Sequence, residues 1–287
     1  MIGQRIYDKA LFLRLTKQTQ NLEDHTLVRY PIYVISRHRS EYELIARQLT
    51  YEGLPHFLVV EPHDYEAYAK RFPADTLLKT PVDNIGPANV RNFCWDHSEQ
   101  NGHDFHWCLD DNLIGFDTLV DGKRKRVAVR NVLSVIEQTV NLFDNVAAAS
   151  PSNTIWMPLQ ADKTPLTYNR TIASAMLQNN RTGIRFRPDT LFYADQTLRL
   201  LEAKWSTIVF THLAYAKPVT GKMGGGMTET DYRGHGRHKL MERLVDDWPG
   251  VYKIRFTKEG RPQMGPPNLR KYRQLPQPVK NVTAATH

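Results

Sequence analysis

Cysteine is scarce in this sequence: Cys94 and Cys108 are the only two in 287 residues. Two cysteines cannot build a disulfide framework, and their number suits a reducing compartment. Any run of about 18 apolar residues is also missing, which excludes a membrane-crossing helix and a membrane partner. The opening stretch MIGQRIYDKALFLRLTKQTQ interrupts its apolar positions with charge. It has no small-residue cleavage site, so no secretory signal is expected and the chain reads as soluble and intracellular. In that setting the triplets at Asn169, Asn180 and Asn281 are chance matches to the glycosylation pattern. No internal repeat is present.

Acidic residues are nearly absent from one end. Between Gly250 and His287 eight Lys and Arg residues face one acid, Glu259, in a chain whose net charge is +8. A second basic cluster is Lys123-Arg124-Lys125-Arg126. Such clusters suit a polyanion, whose phosphates they neutralise with release of counterions. The plainer reading is a solvated surface and a loose basic tail.

What is present is enough for a core: 41% apolar residues, with 13 Tyr and 5 Trp. Short apolar runs predict strands at Ile32–Ile35, His56–Val60, Phe105–Leu109, Val146–Ala149, Ile172–Leu177 and Ile208–Phe210. Helical spacing predicts helices over Ser40–Tyr51, His63–Phe72, Ala88–Glu99, Arg130–Phe143 and Asp195–Ala203. Strands alternating with helices imply an α/β fold with a mostly parallel central sheet flanked by helices. After Ala216 glycine and proline rise, predicting loop, a short helix near Arg237–Val245 and a weakly ordered tail.

In an open α/β sheet, ligands bind beyond the carboxyl ends of the strands. Ser36-Arg37-His38-Arg39, Glu61 and Asp110-Asp111-Asn112 each follow a predicted buried strand. Arginines pair with phosphate oxygens, and a carboxylate accepts from ribose or base. Another carboxylate holds Mg²⁺ or Mn²⁺, hard cations that prefer oxygen. Alone, each cluster is ordinary turn chemistry. Together they suit a nucleotide diphosphate.

The strand Phe105–Leu109 followed by Asp110-Asp111-Asn112 resembles the DxD region of GT-A glycosyltransferases. Gly86-Pro87-Ala88-Asn89-Val90-Arg91-Asn92 resembles their G-x-x-x-x-R-N element near the donor. Ala194-Asp195-Gln196-Thr197-Leu198-Arg199-Leu200 and the following residues to Trp205 resemble their acceptor-side stretch. The loop Met223-Gly224-Gly225-Gly226-Met227 is similar to that of one subgroup, the TET-associated glycosyltransferases. That family is largely phage-encoded and linked to sugar transfer onto hydroxymethylated pyrimidines in DNA. The resemblance spans roughly residues 30 to 235.

The resemblance implies a GT-A catalytic domain over 29–249, preceded by a helix and connector over 1–28 and followed by a basic extension over 250–287. It implies a UDP-sugar donor bound by Ser36, Arg37, Arg39, Glu61, Gly86, Arg91, Asn92, Asp110, Asp111 and Lys222. A divalent cation, Mn²⁺ or Mg²⁺, would sit on Asp110, Asn112 and His235. Asn112 replaces the usual Asp of the motif and is a neutral, weaker ligand. Phe192 and Tyr193 stand where the family has its Glu-Asp pair, so the general base that inverting transfer needs passes to Asp195 or Asp189. The glycine loop would be a lid, with Lys222 or Arg233 reaching phosphate. Modified double-stranded DNA would be the acceptor, held by Arg270, Lys271 and Arg273 with Tyr252, Phe256 and Tyr272 interleaved. Other acceptors (a polysaccharide, a protein or a small molecule) suit the same donor half, and so does a catalytically dead nucleic-acid-binding module. A zinc site among Cys94, His97, His103, His106 and Cys108 matches no compact ligand spacing, so core cysteines and loop histidines are expected there.

Overall fold

Ile32 and Val34 pack into one apolar cluster and Tyr33 into another, so the first strand is covered on both faces. The same alternation recurs at Leu58 and Val60 against Val59, and at Trp107 and Leu109 against Cys108. Strands buried on both sides need helices on both sides, and the computed structural model has them. It describes residues 27–42, 44–120, 122–157, 165–218, 223–226, 236–258 and 260–279. Nearly all of the expected 1–28 helix and connector, and Lys222, Arg233 and His235, lie outside these residues.

The first half of the described chain alternates as expected. Strand β1 (Ile32–Ile35) leads to helix α1 (Leu44–Tyr51), β2 (Phe57–Val60), α2 (Tyr65–Ala69), β3 (Leu77–Lys79), α3 (Gly86–Gln100) and β4 (Phe105–Asp110). β1 pairs in parallel with β2 on one side and β4 on the other, and β2 pairs in parallel with β3. Helices α1 and α2 put Ile45, Leu49 and Tyr68 into one cluster, and α3 puts Cys94 and Trp95 into the other.

The second half is mixed. It contains β5 (Gly115–Val120), β6 (Lys123–Val127), α4 (Val129–Val140), β7 (Val146–Asn153), β8 (Leu166–Tyr168), β9 (Ala175–Asn179), α5 (Phe192–Glu202) and β10 (Ser206–Ala216). The sheet order is β3-β2-β1-β4-β9-β7-β10-β5-β6, with β8 also on β10. Only β5, β8 and β9 run against the common direction. The expected α/β class, with a largely parallel sheet flanked by helices, holds.

Three local expectations change. The Lys123–Arg126 cluster forms β6, an exposed edge strand, where charge discourages edge-to-edge pairing. The strand expected from Ile172 starts only at Ala175, because Ser174 adopts a left-handed φ of 64°. Helix α5 begins at Phe192, so Asp195 lies inside its first turn rather than at its start.

The described part of the C-terminal region, to residue 279, packs onto the rest of the fold. Helix α6 (Gly236–Asp247) precedes a hairpin of β11 (Ile254–Phe256) and β12 (Pro262–Met264). Leu244, Val251, Tyr252 and Tyr272 share an apolar cluster with Ala194, Leu198 and Leu201 of α5. The expected boundary at 249/250 therefore runs through one core. Further on, Gln274 donates to the Leu201 and Trp205 carbonyls, and Asp144 N–H donates to the Gln277 carbonyl. Among the described residues no helix is long and apolar enough to cross a membrane.

Candidate functional site

The chain runs outward from β1 to β2 and β3, then crosses back through α3 to β4 on the other side of β1. Where strand order reverses, the loops after adjacent strands diverge and leave a crevice. In this chain the crevice lies at the carboxyl ends of β1 and β4, and a cavity of about 540 Å³ opens there. The segments after β1, β2 and β4 all reach it, and Ser36, Arg37, Arg39, Glu61, Gly86 and Arg91 line it. Asp110, Asp111 and Asn112 complete that wall.

Two ion-pair systems organise the rim. In the first, Asp111 is 4% exposed and accepts from Arg39 Nη1 at 2.5 Å and Ser36 Oγ at 2.7 Å. Burial pushes the Asp111 carboxyl above its ordinary value, with Arg39 and Ser36 pulling it down. Arg39 also donates to the Gly224 carbonyl at 2.8 Å and the Gly225 carbonyl at 3.1 Å. The glycine run thus docks onto the loop after β1. A Cβ on Gly225 would lie 2.5 Å from the His38 carbonyl oxygen, and one on Gly226 would lie 2.7 Å from the Arg39 guanidinium. Only glycine permits that approach.

In the second system, Arg91 is 4% exposed and donates to Asp110 Oδ1 at 2.7 Å, to the Pro87 carbonyl at 2.9 Å, and to the Tyr193 hydroxyl. Its guanidinium lies 5.1 Å from the Phe192 ring centroid and 4.9 Å from that of Tyr193. Arg91 therefore positions Asp110 from below. On the outer side Lys217 Nζ donates to Ser174 Oγ at 2.8 Å and lies 3.9 Å from Asp110 Oδ2. Glu61 accepts from the Ile85 N–H at 3.2 Å, and its other oxygen pairs with Arg37 Nε at 3.2 Å.

The donor set fits a divalent cation. Asn112 Oδ1 is buried and has no hydrogen-bond partner among the described residues. Asp110 is 23% exposed, and its Oδ2 lies 3.9 Å from Lys217 Nζ. Two hard oxygens on one wall are what Mn²⁺ or Mg²⁺ takes. Asp111 is not available for this, since Arg39 and Ser36 hold both of its oxygens.

Other expected residues stand elsewhere. Asn92 faces away from the cavity and clamps the Phe186 backbone, with bonds of 2.9 Å to both its carbonyl and its N–H. Asp195 is 0% exposed and does not line the cavity. Its carboxylate accepts from both Nε and Nη2 of Arg187, from Arg199 Nε at 2.9 Å and from Trp248 Nε1 at 3.1 Å. That carboxylate ties α5 to α6 and is enclosed away from the cavity. Asp189 is exposed, one residue before Thr190 of the cavity wall.

Arg270, Lys271 and Arg273 are exposed, but Lys271 Nζ bonds Glu202 at 2.6 Å. Tyr252 and Tyr272 are buried at 5% and 7%, so packing against α5 occupies the rings expected to stack on bases. Phe256 stays 62% exposed. Cys94 and Cys108 are core residues. His106 is also fully buried, 2.6 Å from Asn180 Oδ1, and is not a loop histidine.

Further side chains line the cavity that the sequence did not place there. Lys217, Tyr193, Arg237, Tyr252 and Met264 all reach the cavity. Lys217 follows the end of β10, as Arg37 follows β1. A strand expected to stop at Phe210 hid that signal.

Residues 30–226 match the model of the TET-Associated Glycosyltransferase family. No curated protein matches. Among solved structures, GalNAc-T7 with UDP, GalNAc and Mn²⁺ is 8% identical, over 78% of this chain and 49% of that one, with a TM-score of 0.47. This chain thus spans about half of that protein's length. A putative nucleotide-diphospho-sugar transferase from Desulfovibrio desulfuricans G20 is 9% identical, over 76% of this chain and 94% of that one, with a TM-score of 0.39.

Proposed function

Because this chain belongs to the TET-associated glycosyltransferase family, we propose that it transfers a hexose from a UDP-linked donor to the hydroxyl of a 5-hydroxymethylated pyrimidine in double-stranded DNA. The observation that supports the donor half best is the convergence of Arg37, Glu61, Asp110, Asn112 and Lys217 on one cavity at the strand-order reversal. Its volume, about 540 Å³, suits a nucleotide-sized ligand.

In this reading Arg37 and Lys217 meet the diphosphate, and Glu61 accepts from ribose or base. Asp110 and Asn112 would hold Mn²⁺ or Mg²⁺, which offsets the charge developing on the departing diphosphate. Arg91 and Tyr193 hold Asp110 in place. With Asp195 enclosed by Arg187, Arg199 and Trp248, the base role goes to Asp189, whose exposed carboxylate takes the acceptor proton. A base inside a duplex must be flipped out to bring its hydroxymethyl group to the cavity. Arg270 and Arg273 contact the DNA phosphates, and the exposed Phe256 is available for stacking.

The test is an acceptor screen. Labelled UDP-sugars are offered with DNA containing 5-hydroxymethylcytosine, plain DNA or no acceptor, with Mn²⁺ present. Label on the modified DNA alone is expected, and Asp189→Asn should lower it about 10²-fold or more. Label on another acceptor class would end the DNA reading. No turnover, and no nucleotide-induced rise in melting temperature, would end the donor reading as well.

A further inference from the structure

Beside the crevice, on the outer side of the loop after β1, two histidines and two aspartates meet in an arrangement that sugar transfer does not use. His63 Nδ1 lies 2.6 Å from Asp83 Oδ1. A carboxylate only accepts, so Nδ1 carries the hydrogen and the lone pair of the neutral ring sits on Nε2. That nitrogen faces Asp64 Oδ2 at 3.5 Å. In the neutral ring two acceptors therefore face each other across that gap.

The His38 ring lies 4.7 Å from that of His63, and His38 Nδ1 lies 2.9 Å from Asp64 Oδ1. His38, His63 and Asp64 each place one ligand atom within 4.8 Å of the others. In a tetrahedral zinc site, bonds of about 2.0–2.2 Å keep neighbouring ligand atoms roughly 3.3–3.6 Å apart. Small side-chain rotations close the difference.

We propose that His38, His63 and Asp64 form a binding site for a divalent transition ion of the zinc class, with Asp83 as the carboxylate that orients His63. Nitrogen and oxygen donors in this mixture suit zinc better than magnesium or calcium. A histidine ligand whose second nitrogen is bonded to a carboxylate is the usual supporting arrangement. On binding, His38 moves its proton to Nε2 and offers Nδ1, so no net charge is lost from the ring.

A purely structural clasp explains less. Asp64 already accepts from the His38 backbone N–H at 2.7 Å and from its ring. His63 adds no bond to that loop. One cation relieves the facing acceptors at His63 and joins both histidines. Its position matters because His38 has a left-handed φ of 52° and sits between Arg37 and Arg39, which both line the cavity. The ion would fix the backbone from which those two arginines project. This site is separate from the oxygen pair of Asp110 and Asn112, and it stands or falls without reference to sugar transfer.

The experiment uses the full chain carrying Asp110→Asn, which removes the carboxylate of the other cation site while keeping a partner for Arg91. Zn²⁺ binding is followed by calorimetry, and Co²⁺ is used as a spectroscopic probe of histidine coordination. One equivalent of Zn²⁺ and a rise in melting temperature are expected. His63→Gln and His38→Ala should each weaken binding at least about 100-fold, and Asp83→Asn about 10- to 100-fold. Circular dichroism and melting curves without metal establish that each variant is folded, and His63→Gln serves if His38→Ala does not fold. No stoichiometric Zn²⁺ binding, or unchanged affinity in folded His63→Gln, would overturn the site. Pairing through a proton on His63 would then account for the cluster.

Discussion

The two walls of the cavity differ in chemistry and in how they are held. The wall between β1 and β4 is charged: Arg37, Glu61, Asp110 and Asp111 line it, each at or just past the end of a buried strand. The opposite wall is mostly apolar, with Leu191, Phe192, Leu240, Met264 and Pro267, and carries one cation, Arg237. It is assembled from α5, α6 and the β11–β12 region. A charged wall facing an apolar one suits a ligand that is anionic on one side and flat on the other. The difference also separates two kinds of carboxylate. On the charged wall carboxylates face the cavity or hold cations that do. Behind the apolar wall Asp195 joins α5 to α6.

The sharpest way to break this comparison is to remove a side chain from each wall. Asn112→Ala deletes an oxygen with no protein partner, so the fold should lose little. Transfer should fall by about 10²–10³-fold, as when one group stabilising developing charge is lost. Asp195→Ala should do the reverse. Removing a fully buried carboxylate that two arginines and Trp248 share should cost about 2–4 kcal/mol of stability, below the range for wholly buried pairs because both arginines are partly exposed. Denaturant unfolding reads the stability, and initial rates per folded molecule read the activity. Asp195→Asn with an intact fold and dead chemistry would return the base role to Asp195.

A second, smaller effect tests how the charged wall is held. Burial raises the Asp111 carboxyl above its ordinary value of 3.8. The folded state therefore binds this proton more tightly than the unfolded chain. Stability from this group is greatest below that ordinary value and declines as pH rises through the raised folded value, then levels. Urea unfolding of the native chain and of Asp111→Asn between about pH 4 and 7 isolates the effect. The stability of the native chain relative to the variant should fall with rising pH, by at most about 1.4 kcal/mol per pH unit and only between the ordinary and the raised value. A rise instead would mean that Arg39 and Ser36 outweigh burial.

The same contrast explains what the sequence discloses. Ser36, Arg37, Glu61 and Asp110 are legible because a short apolar run announces a buried strand and the next polar residue lies at its end. That inference is local. Asp195 is harder to place for the opposite reason. Its role depends on Arg187 and on Trp248, which approach only when α6 docks. No periodicity in Phe192–Glu202 announces that contact. Tyr252 and Tyr272 mislead in the same way, since aromatics in a basic segment suit stacking on bases as well as packing on a helix. Lys217 was missed because β10 runs six residues beyond the apolar core Ile208–Phe210. The His38–Asp64 cluster is not legible in the sequence as a unit, because its members come from three separate loops.

The smallest expected effects concern the basic surface. Arg270, Lys271 and Arg273 share a segment and a charge, but their surroundings differ. Lys271 bonds Glu202, which also accepts from Tyr272 at 2.7 Å. Arg273 Nε donates to the Arg270 carbonyl at 3.1 Å, and neither arginine pairs with a carboxylate in the described structure. A cation already neutralised by a neighbour releases fewer counterions on meeting phosphate. Each of Arg270→Ala and Arg273→Ala should therefore reduce the slope of log K against log salt by about 1. Lys271→Ala should reduce it by less, and Glu202→Gln should restore the difference by freeing the lysine. The exposed edge strand β6 supplies the counterpart, since Lys123, Arg124 and Lys125 lie on the sheet edge at the far end of the strand order. Neutralising those three together should leave the slope unchanged if DNA rests on the C-terminal segment. If instead the β6 substitutions flatten the slope and the arginine substitutions do not, the duplex lies across the sheet edge. The acceptor would then enter the cavity from the side of β5 rather than over the β11–β12 hairpin.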